Sequence, residues 1–342
     1  MATPAEMSLD SGELKKRVER FQTVRDGILA QVRQVIVGQD EVLDQILTAL
    51  FVGGHCLITG LPGTAKTLMV RTIAQTLGLE FRRIQFTPDL MPSDITGTDI
   101  IEEDTTTGRR KWTFVPGPIF GNILLADEIN RTPPKTQSAL LEAMQELSCT
   151  VRGNHYTLPG PFFVLATQNP IELEGTYPLP EAQLDRFLFN TVLDYLSASD
   201  EVKVVDLTTT TRTAQVEAVT SAQEILDFQQ LVRMVPIGES LAQYVVNLVR
   251  ATRHNSGSAP DFVKKYVNYG ASVRAAQFIV LAAKARALAH RRYHVAYEDI
   301  VTLAIPVLRH RILLNFHAES DRIDSDEILR QLLQYMPPPS KS

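Results

Sequence analysis

The chain has 342 residues, of which 44% are hydrophobic and 21% are charged, a composition typical of a globular protein with room for two domains. Its net charge of −5 argues against non-specific nucleic-acid binding as the main role, because that role needs a basic face. The two cysteines fit no metal or disulfide framework. With no signal peptide or long apolar segment in view, we expect a cytoplasmic protein without a membrane segment.

The order of strand and helix patterns predicts two domains. Residues 1–34 are predicted to hold a tail and a helix, and residues 35–195 an α/β layer with a parallel sheet, because strands and helices alternate there. The threonine-rich stretch 196–220 is interpreted as a connector, and 221–336 has helical spacing almost throughout. The tail 337–342 begins with prolines, which cannot continue a helix. The candidate strands are 55–59, 81–86, 122–126, 162–167 and 187–192.

The most informative motif is GLPGTAKT at residues 60–67, which follows an apolar run and opens a helical pattern. This context is typical of a phosphate-binding loop, whose backbone N–H groups point at a polyphosphate. Lys66 is expected to reach the β- and γ-phosphates, and the Thr67 hydroxyl to bind Mg²⁺. The residues expected to contact nucleotide here are Gly60, Pro62, Gly63, Thr64, Ala65, Lys66, Thr67 and Leu68.

Ala65 departs from the generic loop pattern, which usually has glycine before the lysine. Alanine is costly only where φ must be positive. We expect Ala65 to be tolerated because it stands at the start of the predicted helix.

Two adjacent carboxylates follow the apolar run 123–126. Asp127 is expected to hold Mg²⁺ together with Thr67, and Glu128 to orient and deprotonate the attacking water. Taken alone, Asp-Glu would fit a solvated acidic turn equally well, but the phosphate loop upstream favours a catalytic pair.

Three further polar residues occupy positions suited to phosphate chemistry. Asn169 follows an apolar strand and could bind the γ-phosphate or the water, although Asn-Pro is also a common turn pair. Arg186 could reach the nucleotide of a neighbouring subunit and neutralise the charge of the phosphoryl-transfer transition state there. Alternatively, it could form a local salt bridge with Asp185 or Glu181. Arg274 stands in the first turn of a helix that Ser272 is predicted to cap. The helix dipole disfavours a cation at that end, which suggests that an anion lies near Arg274. The alternative is that Arg274 is simply exposed to solvent.

In this order and spacing, these motifs resemble an AAA+ ATPase of the MoxR family over residues 35–335. The most specific strings are QFTPDLMPSDITG at 85–97, GPIF at 117–120, DEINR at 127–131, PPKTQ at 133–137, ATQNP at 166–170 and the run 174–187. The resemblance implies a three-layer αβα nucleotide-binding domain followed by an all-α lid, with ATP and Mg²⁺ as cofactors.

The resemblance also assigns roles to matching positions. Ile36, Val37 and Gly38 match a segment that packs against adenine in such folds, and Val273 stands where proline is common before the lid arginine. The remaining assignments are Walker A for Lys66 and Thr67, Walker B for Asp127 and Glu128, sensor 1 for Asn169, the arginine finger for Arg186 and sensor 2 for Arg274.

Two insertions are implied by the family, one around 88–107 and one, a hairpin, around 149–158. The sequence of the second does alternate about a Gly153-Asn154 turn, as a hairpin should. In related ring ATPases such elements line or flank a central pore, which makes Arg152, His155 and Tyr156 candidate contacts. A hairpin that packs only on its own subunit is the alternative.

A finger arginine that acts in trans requires a ring, expected to be a homohexamer, although one sequence cannot show that the contacts close. The resemblance further implies chaperone-like remodelling of a protein client, typically one with a von Willebrand factor A domain. A chelatase-type or DNA-motor subunit is an alternative, as is a nucleotide-binding scaffold without significant turnover. The acidic balance argues against the motor, and the presence of Glu128 and Arg186 argues against the scaffold.

Overall fold

A five-stranded parallel sheet lies at the centre of the computed structural model, which describes residues 11–103, 110–169, 175–210 and 215–339. The expectations for the terminal tails at 1–10 and 340–342, and for 104–107 of the first insertion, lie outside the described residues. Pro170 and Glu174, at the edges of two motif strings, lie outside them as well.

The helices and strands alternate through the first two thirds of the chain. In order, these elements are α1 Ser11–Val32, α2 Asp40–Val52, β1 Cys56–Gly60, α3 Lys66–Thr76, β2 Phe81–Gln85, α4 Pro92–Thr96, β3 Gly97–Glu103, β4 Arg110–Pro116, β5 Ile123–Asp127, α5 Pro134–Glu146, β6 Ser148–Val151, β7 Asn154–Thr157, β8 Phe163–Gln168, α6 Glu181–Leu184, β9 Phe189–Leu193 and α7 Ala198–Thr208.

The remaining elements are almost all helical. They are α8 Ala222–Met234, α9 Glu239–Ala251, α10 Asp261–Tyr266, β10 Val267–Tyr269, α11 Val273–Ala289, α12 Tyr297–Leu308, β11 Leu313–Leu314, α13 Phe316–Ser320 and α14 Ser325–Tyr335. Ser272 caps α11 by accepting the Arg274 backbone N–H, which confirms the predicted N-cap. Among the described helices, none is both long and apolar enough to cross a lipid bilayer.

The sheet has strand order β2-β5-β8-β1-β9, and all neighbouring strands run parallel. Successive side chains of a strand point to opposite faces. In β5, Ile123 and Leu125 therefore enter one apolar core while Leu124 and Ala126 enter another. A sheet that is buried on both faces is the middle of three layers, so the predicted α/β sandwich followed by a helical region is confirmed.

The core on one face of the sheet continues into the C-terminal helices. Phe21 of α1, Phe51 of α2 and Phe228 of α8 pack with ring centroids 4.7 to 6.0 Å apart. Residues from α9, α11, α12 and α14 belong to the same buried cluster. The N-terminal helices thus join the helical region to the sheet through one shared apolar core.

The segment predicted as a connector contains a helix. Residues 198–208 form α7, whose Ser197 cap accepts the backbone N–H of Asp200. No residue of α7 is buried, so the helix shows no apolar stripe of the kind that identifies a helix from sequence. The helical region differs from its prediction only by the short antiparallel pair of β10 and β11.

Both predicted insertions are present, with changed details. The first contains the antiparallel hairpin of β3 and β4 and extends to Pro116, beyond the predicted end. In the second, Val151 pairs with Asn154, so the turn residues are Arg152 and Gly153, both with positive φ. The predicted Gly153-Asn154 turn is wrong by one residue, because Asn154 already belongs to β7.

The two hairpins pack against each other. The Arg152 guanidinium lies over the Trp112 ring, 4.5 Å from its centroid, and the Tyr156 ring stacks on Phe114 with centroids 4.0 Å apart. Of the candidate contacts, Arg152 and Tyr156 therefore already have partners within the chain, while His155 is exposed.

Candidate active site

The loop at residues 60–67 joins β1 to the N-terminus of α3, at the carboxyl edge of the sheet where parallel α/β folds bind ligands. Gly60 is required by space, because a Cβ there would lie 2.8 Å from the Leu193 carbonyl oxygen of β9. Gly63 is required by conformation: its φ is +80°, and a Cβ would meet nothing within 4 Å. The loop bounds a cavity of about 490 Å³, here the phosphate cavity, lined by Pro62, Gly63, Thr64, Ala65, Lys66, Thr67, Leu68, Asp127, Glu128, Thr167, Gln168 and Asn169.

The backbone of Ala65 contradicts the sequence-based expectation. Ala65 has φ 60° and ψ 23°, a left-handed conformation just before the first residue of α3. For an L-residue this conformation costs about 1–2 kcal/mol. Alanine is therefore strained at this position, where the usual glycine would not be. The expectation that Ala65 would have a helical, negative φ is wrong.

Lys66 folds back onto its own loop. Its Nζ donates to the carbonyl oxygens of Gly60 at 3.0 Å and Leu61 at 2.6 Å. Partial burial lowers the pKa of Lys66, and the negative charges of Asp127 and Glu128 oppose that shift. Lys66, Asp127 and Glu128 thus line the same cavity, beside the N-terminus of α3.

Asp127 is the last residue of β5 and is nearly buried, with 9% of its surface exposed. Its Oδ1 accepts the Thr167 hydroxyl at 2.7 Å, and its Oδ2 accepts Nη2 of Arg83 at 2.7 Å. The register explains both contacts, since β2 and β8 flank β5 and all three strands end at this edge. Two neighbouring strands therefore fix the orientation of the carboxylate.

Glu128 is held beside Asp127 by its backbone and by two side chains. Its φ is +57°, and its backbone N–H donates to Thr167 Oγ1 at 2.9 Å. The carboxylate accepts Nε2 of Gln85 at 2.8 Å and lies 3.1 Å from Nε of Arg131. A carboxylate in this position, half-shielded and facing a phosphate loop, has the chemistry of a general base for water.

Asn169 lies directly after β8 and is 8% exposed. It lines the phosphate cavity together with Gln168, opposite the loop. The structure thus brings the predicted amide to the same space as Lys66, Thr67 and Glu128.

A second cavity adjoins the first and is mainly apolar. It encloses about 460 Å³ and shares Gly63, Thr64, Ala65 and Leu68 with the phosphate cavity. Ile36 and Val37 of the predicted base-binding segment line it, whereas Gly38 does not; a Cβ at Gly38 would lie 3.0 Å from the Leu196 side chain. The wall opposite Ile36 comes from α7, through Glu201, Val204, Val205 and Thr208.

The two arginines proposed for catalysis do not line the phosphate cavity of their own chain, as far as the described residues show. Arg186, between α6 and β9, donates through Nη1 to the carbonyl oxygen of Leu141 on α5. Arg274 places Nη1 3.4 Å from Oδ2 of Asp185. The anion beside Arg274 is thus an aspartate of the sheet domain, and Asp185 is bonded to the lid rather than to Arg186.

Several residues that organise the site were not identified from the sequence, namely Arg83, Gln85, Thr167, Arg131 and the cavity-lining residues of α7. Arg83 and Gln85 lie on β2 and Thr167 lies on β8, the two strands that adjoin β5. Their contacts depend on strand order, and a sequence motif that names only Asp127 and Glu128 does not contain that information.

Comparison with known proteins agrees with this geometry. A family model described as "ATPase family associated with various cellular activities (AAA)" matches residues 55–189, and one described as "AAA lid domain" matches residues 261–332.

Relatives match along most of the chain. The uncharacterized protein YeaC of Bacillus subtilis is 44% identical over 303 residues, 88% of this chain and 91% of that protein. The chaperone MoxR1 of Mycobacterium tuberculosis is 43% identical over 304 residues, 89% of this chain and 79% of that protein. The crystal structure of a candidate ATPase from Cytophaga hutchinsonii superposes with a TM-score of 0.87 at 42% identity, covering 96% of this chain and 99% of that one.

Proposed function

The chain belongs to the AAA ATPase family and within it to the MoxR group, and from that premise we propose that it hydrolyses ATP with Mg²⁺ at sites shared between copies in a ring. The energy released would remodel or activate a protein partner. The name of the M. tuberculosis relative, a chaperone, supports that role. As the resemblance implies, the expected partner carries a von Willebrand factor A domain, and the expected ring is a hexamer. We expect the protein to work in the cytoplasm, where ATP is supplied.

ATP binding would use the two adjoining cavities. The apolar cavity beside Ile36 and Val37 suits an adenine ring, and the loop with the α3 N-terminus suits the phosphates. Lys66 would exchange its bonds to Gly60 and Leu61 for the β- and γ-phosphate oxygens, which are stronger acceptors for an ammonium.

The donor set fits Mg²⁺. Thr67 and Asp127 offer oxygen atoms only, which this ion prefers. Arg83 donates twice to Oδ2 of Asp127, whereas Oδ1 keeps an acceptor site beyond its bond to Thr167. Within the described ranges no group of three or more His, Cys, Asp or Glu side chains could hold a metal alone, so phosphate oxygens and water would complete the coordination. The bound ion would neutralise charge on the β- and γ-phosphates.

Glu128 would take the proton of the attacking water, and Asn169 would orient that water or the γ-phosphate. Thr167 holds the backbone of Glu128 and the carboxylate of Asp127 at once, so base and metal ligand keep a constant spacing.

The observation that carries the proposal is the incomplete phosphate cavity. It contains the loop, the carboxylates and the amide, whereas Arg186 and Arg274 are held elsewhere on the same chain, by Leu141 and Asp185. An arginine that neutralises the charge on a transferring phosphoryl group raises the rate on the order of 10³-fold or more. A neighbouring copy would supply Arg186, and Arg274 close to it, to each site.

The proposal is tested by steady-state ATP hydrolysis against protein concentration, with size analysis in ATP and in ADP. Specific activity that rises with concentration, together with a ring that forms in ATP, supports shared sites. A monomer with constant specific activity at every concentration would exclude them. Chelation of Mg²⁺ is expected to abolish turnover in either case.

A further inference from the structure

Arg311 of the lid binds the backbone on both sides of Arg186. It follows α12 and lies at the boundary between lid and sheet domain, with 1% of its side chain exposed. Its Nε donates to Asp185 Oδ1 at 2.8 Å, and its Nη2 donates to the Asp185 carbonyl oxygen at 2.9 Å. Nη2 also donates to the carbonyl oxygen of Phe187, and Nη1 to that of Leu188 at 3.3 Å.

These bonds restrain the segment that carries Arg186. A guanidinium is planar and presents its N–H donors in a rigid fork, so its acceptors must take up fixed relative positions. Here the acceptors belong to Asp185, Phe187 and Leu188, the residues that bracket Arg186. The direction in which Arg186 leaves the backbone is therefore tied to the lid.

Stability alone explains this arrangement poorly. Burial lowers the pKa of Arg311 to about 10, against the opposing effect of Asp185, and the guanidinium packs 5.0 Å from the centroid of the Phe278 ring. A buried ion pair often contributes no more stability than apolar residues of similar size. What an apolar residue could not do is hold three carbonyl groups in one geometry.

We propose that Arg311 is a positioning residue for Arg186, which it aims at the nucleotide of the neighbouring copy. The inference rests on the proposed function, because it assumes that Arg186 acts in trans. It also gives the lid a direct influence on the finger, since Arg274 and Arg311 bind the same carboxylate, Asp185.

Arg311→Lys tests the inference, with Arg309→Lys as the matched control. Arg309 also joins the lid to the sheet domain, through Nη1 and the Asn190 carbonyl oxygen at 3.2 Å, and pairs with Asp326. Its bonds do not involve the backbone beside Arg186. Arg311→Lys is expected to lower kcat about 10-fold or more with KM for ATP changed less than about twofold, since misplaced catalytic groups cost up to about 100-fold. Arg309→Lys is expected to keep both constants near wild type. Equal losses in the two variants would overturn the inference.

Rings assembled from two different variants show whether Arg311→Lys impairs the Arg186 that a copy supplies to its neighbour or the nucleotide site of the copy itself. A ring of Arg311→Lys and Lys66→Ala copies contains interfaces that pair an intact finger with an intact phosphate loop, so turnover should exceed the sum of the separate activities. A ring of Arg311→Lys and Arg186→Ala copies should show no gain.

The reference mixture is Arg186→Ala with Lys66→Ala. If it gains activity and Arg311→Lys with Lys66→Ala does not, Arg311 has a structural role only and the inference is wrong. If the reference mixture itself gains nothing, the shared site of the proposed function fails and this inference fails with it. Should Arg311→Lys melt below the assay temperature, Arg311→Gln replaces it, because it leaves no buried charge beside the carbonyl groups.

Discussion

The hydroxyl of Thr167 donates to Oδ1 of Asp127 at 2.7 Å, and this one contact couples the end of β8 to the end of β5. The same oxygen accepts the backbone N–H of Glu128 at 2.9 Å. A fully buried threonine therefore contacts both of the carboxylate residues proposed for catalysis, and it also lines the phosphate cavity.

Thr167→Val is expected to keep the packing and lose both hydrogen bonds. The Glu128 N–H would be left without a partner, at a cost of about 1–3 kcal/mol in free energy of unfolding. We expect kcat for ATP to fall by about 10-fold or more, because the base and the metal ligand lose their common support. Steady-state kinetics and urea unfolding check the two effects. Thr167→Ser keeps the hydroxyl and should retain most activity; a valine variant as active as the serine variant would contradict the role.

Glu128→Gln is expected to bind ATP and assemble as the wild type does while hydrolysing about 10² to 10⁴ times more slowly, because a neutral amide cannot accept the proton of water. Fluorescent-nucleotide binding and phosphate release measure the two properties. Glu142→Gln, at an exposed position on α5, is the control and should behave as wild type. Hydrolysis at the wild-type rate in Glu128→Gln would remove Glu128 as the base.

Ala65→Gly should stabilise the protein. The left-handed φ of 60° is strained for alanine but not for glycine, so the substitution should raise the free energy of unfolding by about 1–2 kcal/mol. The greater conformational entropy of glycine in the unfolded chain should lower it again by about 0.5–1 kcal/mol. Thermal unfolding should show a higher midpoint. Ala74→Gly in the interior of α3 is the control and should lower it, because glycine is unfavourable inside a helix. A lower midpoint for Ala65→Gly would show that the strain is absent.

His55 makes stability depend on pH. Its Nδ1 accepts the Val164 N–H at 3.1 Å, which places the proton on Nε2, 3.2 Å from the Met144 carbonyl oxygen. Burial lowers the pKa of His55 to about 4, with the bond to Met144 opposing that shift. The unfolded value is about 6.5, so the unfolded chain binds the proton first as pH falls. This contribution to stability is complete above about pH 6.5 and is lost progressively towards pH 4, by about 3 kcal/mol in all.

His55→Gln tests this pH dependence, because glutamine offers a donor and an acceptor without titrating. Urea unfolding at several pH values should show wild-type stability falling faster than that of the variant between about pH 6.5 and 4. Parallel curves over that range would show that His55 is not the titrating group.

The sheet and the residues that line the phosphate cavity were predictable because each has a local signal. The five strands were found within one or two residues of their observed ends, since apolar runs of this length are typical of buried parallel strands. Four strands end one residue later than predicted, at Gly60, Asp127, Gln168 and Leu193, whereas β2 ends one residue earlier, at Gln85. Strand ends are set by backbone pairing, which the hydrophobicity of the side chains does not report to the residue.

The remaining features depend on contacts between distant segments. Arg311 reaches Asp185 over 126 residues of sequence, and Arg83 reaches Asp127 only because β2 adjoins β5. The φ of Ala65 is imposed by the path of the loop, not by the helix that follows it. Helix α7 could not be seen because it buries none of its residues, although it walls the apolar cavity.

The stacking of Tyr156 on Phe114 has a mechanical consequence. It ties the two inserted hairpins into one body, and the strand that begins the second hairpin follows α5 after a single residue. Helix α5 also carries Leu141, whose carbonyl oxygen Arg186 grips. A helix is stiff along its axis, so we expect a displacement of either hairpin to move α5 and, with it, the Leu141 carbonyl group that holds Arg186. In the proposed ring, a force that a client exerts on the hairpins would therefore reach Arg186 through α5, by a route separate from the contacts that Arg311 makes from the lid.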